Sequence, residues 1–158
     1  MVSEPAVAEL RSMLAIRELR YAYAYHIDHH NWDEWERLYA EDAWWSSTLH
    51  DRYESRDVIG RLGREDFAES HAHSKHQMHN PIIDVDGDEA AGTWNFEAVV
   101  VTPDGSANWS QGEYQETYVR VDGEWLFASV FADIEARMLD MEATVVGDGD
   151  AEFVEIHP

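Results

Sequence analysis

The sequence predicts an α+β fold in which about three N-terminal helices pack on a curved, mostly antiparallel sheet. In the first part of the chain, apolar residues recur at three- and four-residue steps, which is typical of helices. Further along, runs rich in Val, Ile, Thr and aromatic residues are separated by Asp-Gly pairs, which is typical of antiparallel strands. With 158 residues the chain fits one domain, with a core at about residues 8–140 and an acidic tail at residues 141–158.

The first predicted helix runs from about Ala6 to His30 and places Asp28 near its C-terminal end. Its apolar stripe at helical spacing is formed by Met13, Ile16, Leu19, Tyr23 and Ile27. Asn31, with Glu34 three residues later, has the pattern of a capping box. That pattern predicts a short second helix, whose apolar residues are Trp32, Trp35 and Leu38.

The middle and the end of the chain contain the remaining elements. The segment AWWSSTLHDRYE predicts one or two short strands, and SRDVIGRLGREDFAESH predicts a third helix with Ser55 as its N-cap. The apolar positions of this helix are Val58, Ile59, Leu62 and Phe67. Four long antiparallel strands follow, because Asp-Gly pairs suit the positive φ of hairpin turns. These pairs are Asp86-Gly87, Asp104-Gly105 and Asp122-Gly123.

The charge of the chain limits its possible partners. There are 33 acidic and 11 basic residues, which gives a formal net charge of −22. Such a surface repels phosphate backbones and anionic membranes, so we expect neither nucleic acid nor a membrane as a partner. The acidic residues are spread along the chain and Lys75 is the only lysine, from which we hypothesise a protein of a halophilic cytoplasm.

Two absences in the sequence narrow the chemistry and the location. The chain has no cysteine, so disulfides, thiolate metal sites and thiol nucleophiles are excluded. No stretch approaches the ~18 apolar residues of a membrane span, and the N-terminus lacks the basic and apolar regions of a signal peptide. We therefore expect a soluble, cytoplasmic protein.

The segment HAHSKHQMHN places four histidines, His71, His73, His76 and His79, within a short run. A metal site would need three or four of their nitrogens to converge, but between a helix and a strand no single periodicity aligns them. A second interpretation is a polar loop, for which His71 and His73 are the natural members. In the third, one histidine enters a cavity under the sheet and is oriented by a carboxylate, for which Asp28 is the natural candidate.

Three segments resemble the SnoaL-like group of the nuclear-transport-factor-2-like superfamily. They are AIRELRYAYAYHIDHHNWDEWERLYAEDAWW, HQMHNPIIDVDGDEAAGTW and YQETYVRVDGEWLFASV, and the resemblance extends from about residue 10 to residue 138. The group includes scytalone dehydratase, bile-acid 7α-dehydratase and hexachlorocyclohexane dehydrochlorinase. The resemblance implies a cone-shaped α+β barrel and a homo-oligomer of two or three copies.

The resemblance also implies a set of site residues. The catalytic aspartate of the group falls on Asp28, its partner histidine on His76, and a polar residue five positions before the aspartate on Tyr23. A strand tryptophan that lines the pocket falls on Trp45. An arginine on the last strand of one relative has no clear counterpart here, which leaves open whether Arg137, close to the matching position, contributes.

Strand periodicity and the resemblance disagree about which histidine faces inward. Counting by twos back from Ile83 selects His79, whereas His76 falls in the other phase. A bulge at Asn80-Pro81 would reverse the phase, and a proline there cannot donate to a strand ladder. We predict this bulge, with His76 as the base and His79 as the reserve candidate.

These residues predict a dehydratase-like elimination that needs neither a cofactor nor a metal. His76 would be the general base, Asp28 would fix its tautomer, and Tyr23 would support a substrate oxygen. An aromatic-lined pocket would suit a small, largely apolar, hydroxylated ring compound. The further residues predicted to bind the substrate are Trp45, Tyr53, Met78, His79, Trp94, Phe96 and Tyr114. The same fold also carries isomerases, cyclases and non-catalytic ligand-binding or dimerising modules, so fold alone does not choose among them.

Overall fold

The computed structural model describes residues 3–142 of the chain. The helices are α1 (Glu4–Asp28), α2 (Trp32–Arg37), α3 (Arg56–Leu62) and α4 (Ala68–Ser70), and a π-helical turn at Gly63–Phe67 joins the last two. The strands are β1 (Tyr39–Ser47), β2 (His50–Glu54), β3 (His73–Asp86), β4 (Glu89–Val101), β5 (Ser106–Val121) and β6 (Glu124–Glu142). Nearly all of the predicted acidic tail lies outside the described residues.

The strands form one six-stranded sheet in the order β2-β1-β6-β5-β4-β3. Neighbouring strands are antiparallel except β1 and β6, which pair in parallel. The sheet is curved and the helices pack on it, so the predicted α+β architecture is confirmed. One detail differs from the expectation, because the sheet stays open instead of closing into a barrel.

Helix α1 supplies the apolar surface that covers the sheet. It begins after Ser3, whose hydroxyl accepts a hydrogen bond from the backbone N–H of Ala6 at 3.4 Å. The predicted stripe is correct, since its members from the middle of the helix onward are buried, namely Ile16, Leu19, Tyr23 and Ile27. Within residues 3–142, no helix is long and apolar enough to cross a membrane.

The two predicted side-chain caps are wrong, although both residues precede helices as expected. Asn31 makes no cap hydrogen bond, and its side-chain nitrogen instead lies 3.5 Å from Nδ1 of His26. Ser55 also makes no cap hydrogen bond and has a φ of 80°. The short helices after them are held by packing against the core through residues such as Trp35 and Ile59.

The hairpin turns follow the Asp-Gly prediction with one shift in register. Between β5 and β6, Asp122 and Gly123 both have positive φ, at 51° and 89°, as a tight two-residue hairpin requires. Between β3 and β4 the turn residues are Gly87 and Asp88, one position later than predicted. Gly105 adopts a positive φ of 89° in the longer loop that joins β4 to β5.

Strand β3 contains the predicted bulge. His79 lies opposite Asn95 and Ile82 lies opposite Thr93, so β3 uses three steps where β4 uses two. Asn80 has a positive φ of 47°, consistent with the extra residue being accommodated there. The more buried positions of β3 therefore change phase across the bulge, from Ser74, His76 and Met78 to Pro81, Ile83 and Val85.

Candidate active site

Asp28 and His76 are in direct contact where the end of α1 meets the start of β3. His76 Nδ1 lies 2.7 Å from Asp28 Oδ1, and only 8% and 5% of the two side chains are exposed. The Asp28 carboxylate also accepts hydrogen bonds from the His76 backbone N–H at 2.9 Å and from the Ser74 hydroxyl at 2.8 Å. The helix end and the strand thus hold the carboxylate by three donors.

The charge state of Asp28 fixes the tautomer of His76. Burial raises the pKa of the Asp28 carboxyl, but hydrogen bonds from His76 and Ser74 outweigh this and hold the pKa below its ordinary value. The carboxylate is therefore ionised at neutral pH and only accepts hydrogen bonds. In the neutral ring of His76, the proton lies on Nδ1, which leaves Nε2 with a free lone pair.

A cavity of about 250 Å³ lies beside this pair, between α1 and the concave face of the sheet, and His76 forms part of its wall. Aromatic rings make up much of the wall, namely Tyr23, Trp45, Phe67, Phe96 and Tyr114. Polar side chains complete it, among them His50, Ser70, Thr102, Asn108 and Ser110. The wall is thus largely apolar with a limited set of hydrogen-bonding groups, which suits a small organic ligand.

Tyr23 lies in the cavity wall with 1% of its surface exposed. Its hydroxyl oxygen accepts a hydrogen bond from Nε1 of Trp45 at 3.2 Å. Burial raises the pKa of Tyr23, although the positive charge of Arg20 acts against this. Tyr23 therefore keeps its proton at neutral pH and can donate it in a hydrogen bond.

Of the residues predicted to bind substrate, Trp45, Phe96 and Tyr114 line the cavity and four others do not. Tyr53 lies on β2 opposite Trp45, and its ring centroid is 6.1 Å from that of Trp45, so it forms part of a layer behind the wall. Met78 lies opposite Phe96 on β4 and is the next residue of β3 after His76 that faces inward. Its side chain packs against the core.

The other two corrections are His79 and Trp94. His79 is exposed, because before the bulge it has the outward phase of β3. Trp94 is fully buried, but its indole N–H donates to the Tyr118 hydroxyl at 2.9 Å, and neither residue lines the cavity. The sequence pattern identified the correct face of β4 for Trp94 but not its distance from the cavity.

The cavity wall also contains residues that were not identified as site residues from the sequence, among them His50 and His71. His71 follows α4 and lies in the cavity wall instead of an outer loop, and its ring centroid is 5.2 Å from that of Phe67. The signal was present, because His71 is four residues after Phe67, the last apolar position of the predicted third helix. Arg137 on β6, whose contribution the sequence left open, also lines the cavity, together with Ile134.

A second buried acid–base pair lies deeper in the core. Arg20 Nη1 is 3.0 Å from Glu116 Oε1, and neither side chain is exposed. The guanidinium carbon lies 4.0 Å from the ring centroid of Tyr23 and 3.6 Å from that of Tyr114. Tyr118 donates a hydrogen bond to Glu116. Burial raises the pKa of Glu116, although Arg20 and this hydrogen bond oppose the shift.

The histidine run does not form a metal centre in the part of the chain that the structure describes. No three His, Asp or Glu side chains in residues 3–142 are grouped so that they could hold a metal ion. His71 and His76 line the cavity, whereas His79 is exposed and His73 begins β3.

Helices packed on a curved, unclosed sheet give the chain the fold of nuclear-transport-factor-2-like domains. Residues 8–130 match the family described as SnoaL-like domain. The chain therefore belongs to the SnoaL-like family. A search of curated protein sequences finds no significant match.

Solved structures agree with this assignment. A proposed scytalone dehydratase from Novosphingobium aromaticivorans has 25% identity and a TM-score of 0.78, over 91% of this chain and 97% of that chain. A hexachlorocyclohexane dehydrochlorinase from Novosphingobium barchaimii has a TM-score of 0.80 at 17% identity, over 89% of this chain and 98% of that chain. An NTF2-like protein with a cystatin-like fold from N. aromaticivorans has a TM-score of 0.62 at 17% identity, over 85% and 91%. At this identity the last two similarities establish the fold alone.

Proposed function

We propose that the protein is a cofactor-independent lyase that removes water from a small, largely apolar, hydroxylated ring compound. The observation that carries the proposal is the direct contact of Asp28 with His76 at the wall of a cavity. A base that is oriented by a carboxylate at the wall of an aromatic-lined cavity is suited to proton abstraction from carbon. The likeness to a proposed scytalone dehydratase at 25% identity supports dehydration over other reactions of this fold.

In the first step, Nε2 of His76 takes a proton from a carbon of the substrate. Asp28 holds Nδ1–H of the same ring and stabilises the imidazolium that forms. The electron pair of the broken C–H bond then forms a carbon–carbon double bond, and the C–O bond of the neighbouring hydroxyl breaks. His76 returns its proton to the departing hydroxide, so that water is the second product and the base is regenerated.

Two features of the cavity support this sequence of steps. Tyr23 keeps its phenolic proton and can donate a hydrogen bond to a substrate oxygen, since its own oxygen already accepts from Trp45. The largely apolar wall lowers the local polarity around a bound substrate, which strengthens such polar contacts.

The proposal is tested with β-hydroxyindanone, whose dehydration to the conjugated indenone is followed by absorbance. We expect His76→Gln to lower kcat roughly 10²- to 10⁴-fold, as for the loss of a general base. His79→Gln tests the reserve candidate, and it should retain activity because His79 is exposed and outside the cavity. Equal rates for His76→Gln and the wild type would exclude the Asp-His mechanism.

The same assay separates dehydration from isomerisation. An isomerase would return the proton to another carbon atom of the substrate and retain the hydroxyl group. Mass spectrometry of the product therefore decides between the two, because dehydration removes one water from the mass of the substrate. A product of unchanged mass would replace the lyase assignment with an isomerase.

A further inference from the structure

His71 is a cavity residue that the proposed mechanism does not use. It lines the same cavity as His76, and its ring packs on Phe67. Its Nδ1 is fully enclosed and has no hydrogen-bond partner among the described residues. A ligand in the cavity can therefore reach this ring only through Nε2.

The surroundings of His71 determine where its proton lies. Burial, followed by the charged forms of His76 and His30, lowers the pKa of His71 to about 4, while Asp28 acts weakly in the opposite direction and His50 adds to the lowering. The ring is thus neutral at physiological pH and carries one N–H. A buried N–H without a partner is among the rarest defects in folded proteins. The proton therefore belongs on Nε2, the nitrogen that a ligand can reach.

The two cavity histidines thus carry their protons on different nitrogens. Asp28 fixes the proton of His76 on Nδ1, so that this ring offers a lone pair from Nε2. Among residues 3–142, no carboxylate bonds to the ring of His71, and this ring offers an N–H from Nε2. One cavity therefore contains a base and a neutral hydrogen-bond donor of the kind that polarises a carbonyl group.

We propose that His71 is a catalytic residue that donates Nε2–H to a substrate carbonyl oxygen next to the carbon that His76 deprotonates. The inference rests on the proposed elimination and adds a second histidine to it. When His76 removes the α-proton, the C–H electron pair moves toward the carbonyl and forms an enolate. His71 keeps its own proton throughout and stabilises the negative oxygen. Tyr23 is then available to donate a hydrogen bond to the departing hydroxyl group.

The charge changes during the reaction favour this division of roles. After proton abstraction His76 is positively charged, and a positive His76 further disfavours a charge on His71. His71 therefore remains a neutral donor at the moment when negative charge develops on the oxygen. Removing one such donor typically lowers kcat roughly 10²- to 10³-fold.

The binding test compares indanone with indane, the same ring system without the carbonyl, by calorimetry. We expect the preference for indanone over indane to fall about tenfold in His71→Phe, which keeps an aromatic ring against Phe67 but lacks the donor. His71→Gln restores an N–H donor and should recover part of the preference. His73→Gln is the matched control, since His73 does not line the cavity. An unchanged preference in His71→Phe, or no binding of indanone to the wild type, contradicts the inference.

The kinetic test follows exchange of the α-protons of indanone in deuterated water by NMR. Indanone has no leaving group, so this exchange reports enolate formation alone. We expect His71→Phe to lower kcat for exchange roughly 10²- to 10³-fold while the pH dependence of kcat stays that of the wild type. If the wild type exchanged the α-protons of indanone but did not dehydrate β-hydroxyindanone, the lyase assignment would be rejected. The role of His71 in enolate formation would still stand. Dehydration at the wild-type rate in His71→Phe would reject only the role of His71.

Discussion

The protein contains two buried acid–base pairs, and they differ in what surrounds them. Asp28 and His76 are held by three hydrogen bonds at the edge of a cavity. Arg20 and Glu116 are fully enclosed, and the guanidinium lies between aromatic rings. Neither Arg20 nor Glu116 lines the cavity.

The difference shows that burial and charge pairing alone do not identify an active site. Tyr23 and Tyr114 separate the two pairs, because each contacts Arg20 on one side and lines the cavity on the other. Of the two pairs, only Asp28–His76 borders the cavity, so only this pair offers a nitrogen that a ligand can reach. Substitutions at this pair should therefore change catalysis, whereas substitutions at Arg20 and Glu116 should change stability.

The largest expected effect is the loss of activity in Asp28→Asn. The amide can donate a hydrogen bond to Nδ1 of His76, which would shift the ring proton to Nε2 and remove the base. We expect kcat for β-hydroxyindanone dehydration to fall about 10⁴-fold, by analogy with the same change in serine protease triads. If activity were retained and stability fell strongly, Asp28 would stabilise the fold, as Glu116 does, and would not take part in catalysis.

The next effect is on folding, at the enclosed pair. Arg20→Met leaves the Glu116 carboxylate without its partner, and removing one member of a buried ion pair costs about 3–5 kcal/mol of unfolding free energy. The double variant Arg20→Met/Glu116→Leu removes both charges and should recover most of that loss. Urea denaturation of the single and double variants measures both values. If the double variant were no more stable than the single variant, the unpaired charge of Glu116 would not be the cause of the loss. The packing of the two side chains would then account for it.

A smaller effect concerns the pH dependence of stability. The pKa of His71 is lowered to about 4 in the folded protein, so the unfolded chain binds a proton at His71 that the folded chain does not. This contribution to stability is complete above about pH 6.5 and is lost as the pH falls toward 4, by roughly 3 kcal/mol in total. His71→Phe should lack this loss, and His73→Gln should retain it. Urea denaturation at several pH values in this range measures the unfolding free energy of each variant. If this free energy fell by the same amount in the wild type and in His71→Phe, the burial of a neutral His71 ring would be contradicted.

The smallest effect compares two indole hydrogen bonds. Trp45→Phe removes the donor to Tyr23, and Trp94→Phe removes the donor to Tyr118. Each should cost about 1 kcal/mol of unfolding free energy. Only Trp45→Phe should also change kcat, by less than about tenfold, because Trp45 and Tyr23 both line the cavity and Trp94 and Tyr118 do not. Equal kcat values in both variants would indicate that the Trp45–Tyr23 hydrogen bond does not affect the reaction.

Much of the fold could be predicted because its signals are local. The apolar stripe of α1 and the Asp-Gly turns depend on neighbouring residues, and each gave the element with an error of a few positions. The bulge of β3 could be predicted because Pro81 interrupts a strand pattern whose two halves have opposite phase. Family resemblance supplied the pairing of Asp28 with His76, which lie far apart in sequence.

The rest depends on distances that a sequence pattern does not contain. Strand alternation identifies which face a side chain occupies, but not how far along the sheet the cavity extends, and so Met78 and Trp94 were wrongly predicted to line it. Arg20 lies on the apolar stripe at helical spacing, but an arginine there is not expected to be buried without knowledge of Glu116 on β5. The predicted halophilic origin and the dimer or trimer stay predictions.

The central claim is that Asp28 fixes the tautomer of His76 so that Nε2 is a base. Nitrogen NMR of the neutral His76 ring, observed by raising the pH until the ring signals no longer change, tests this without knowledge of the substrate. We predict a protonated Nδ1 and an unprotonated Nε2 in the wild type, with the tautomer reversed in Asp28→Asn. A wild-type ring that carries its proton on Nε2 would contradict the assignment of His76 as the base.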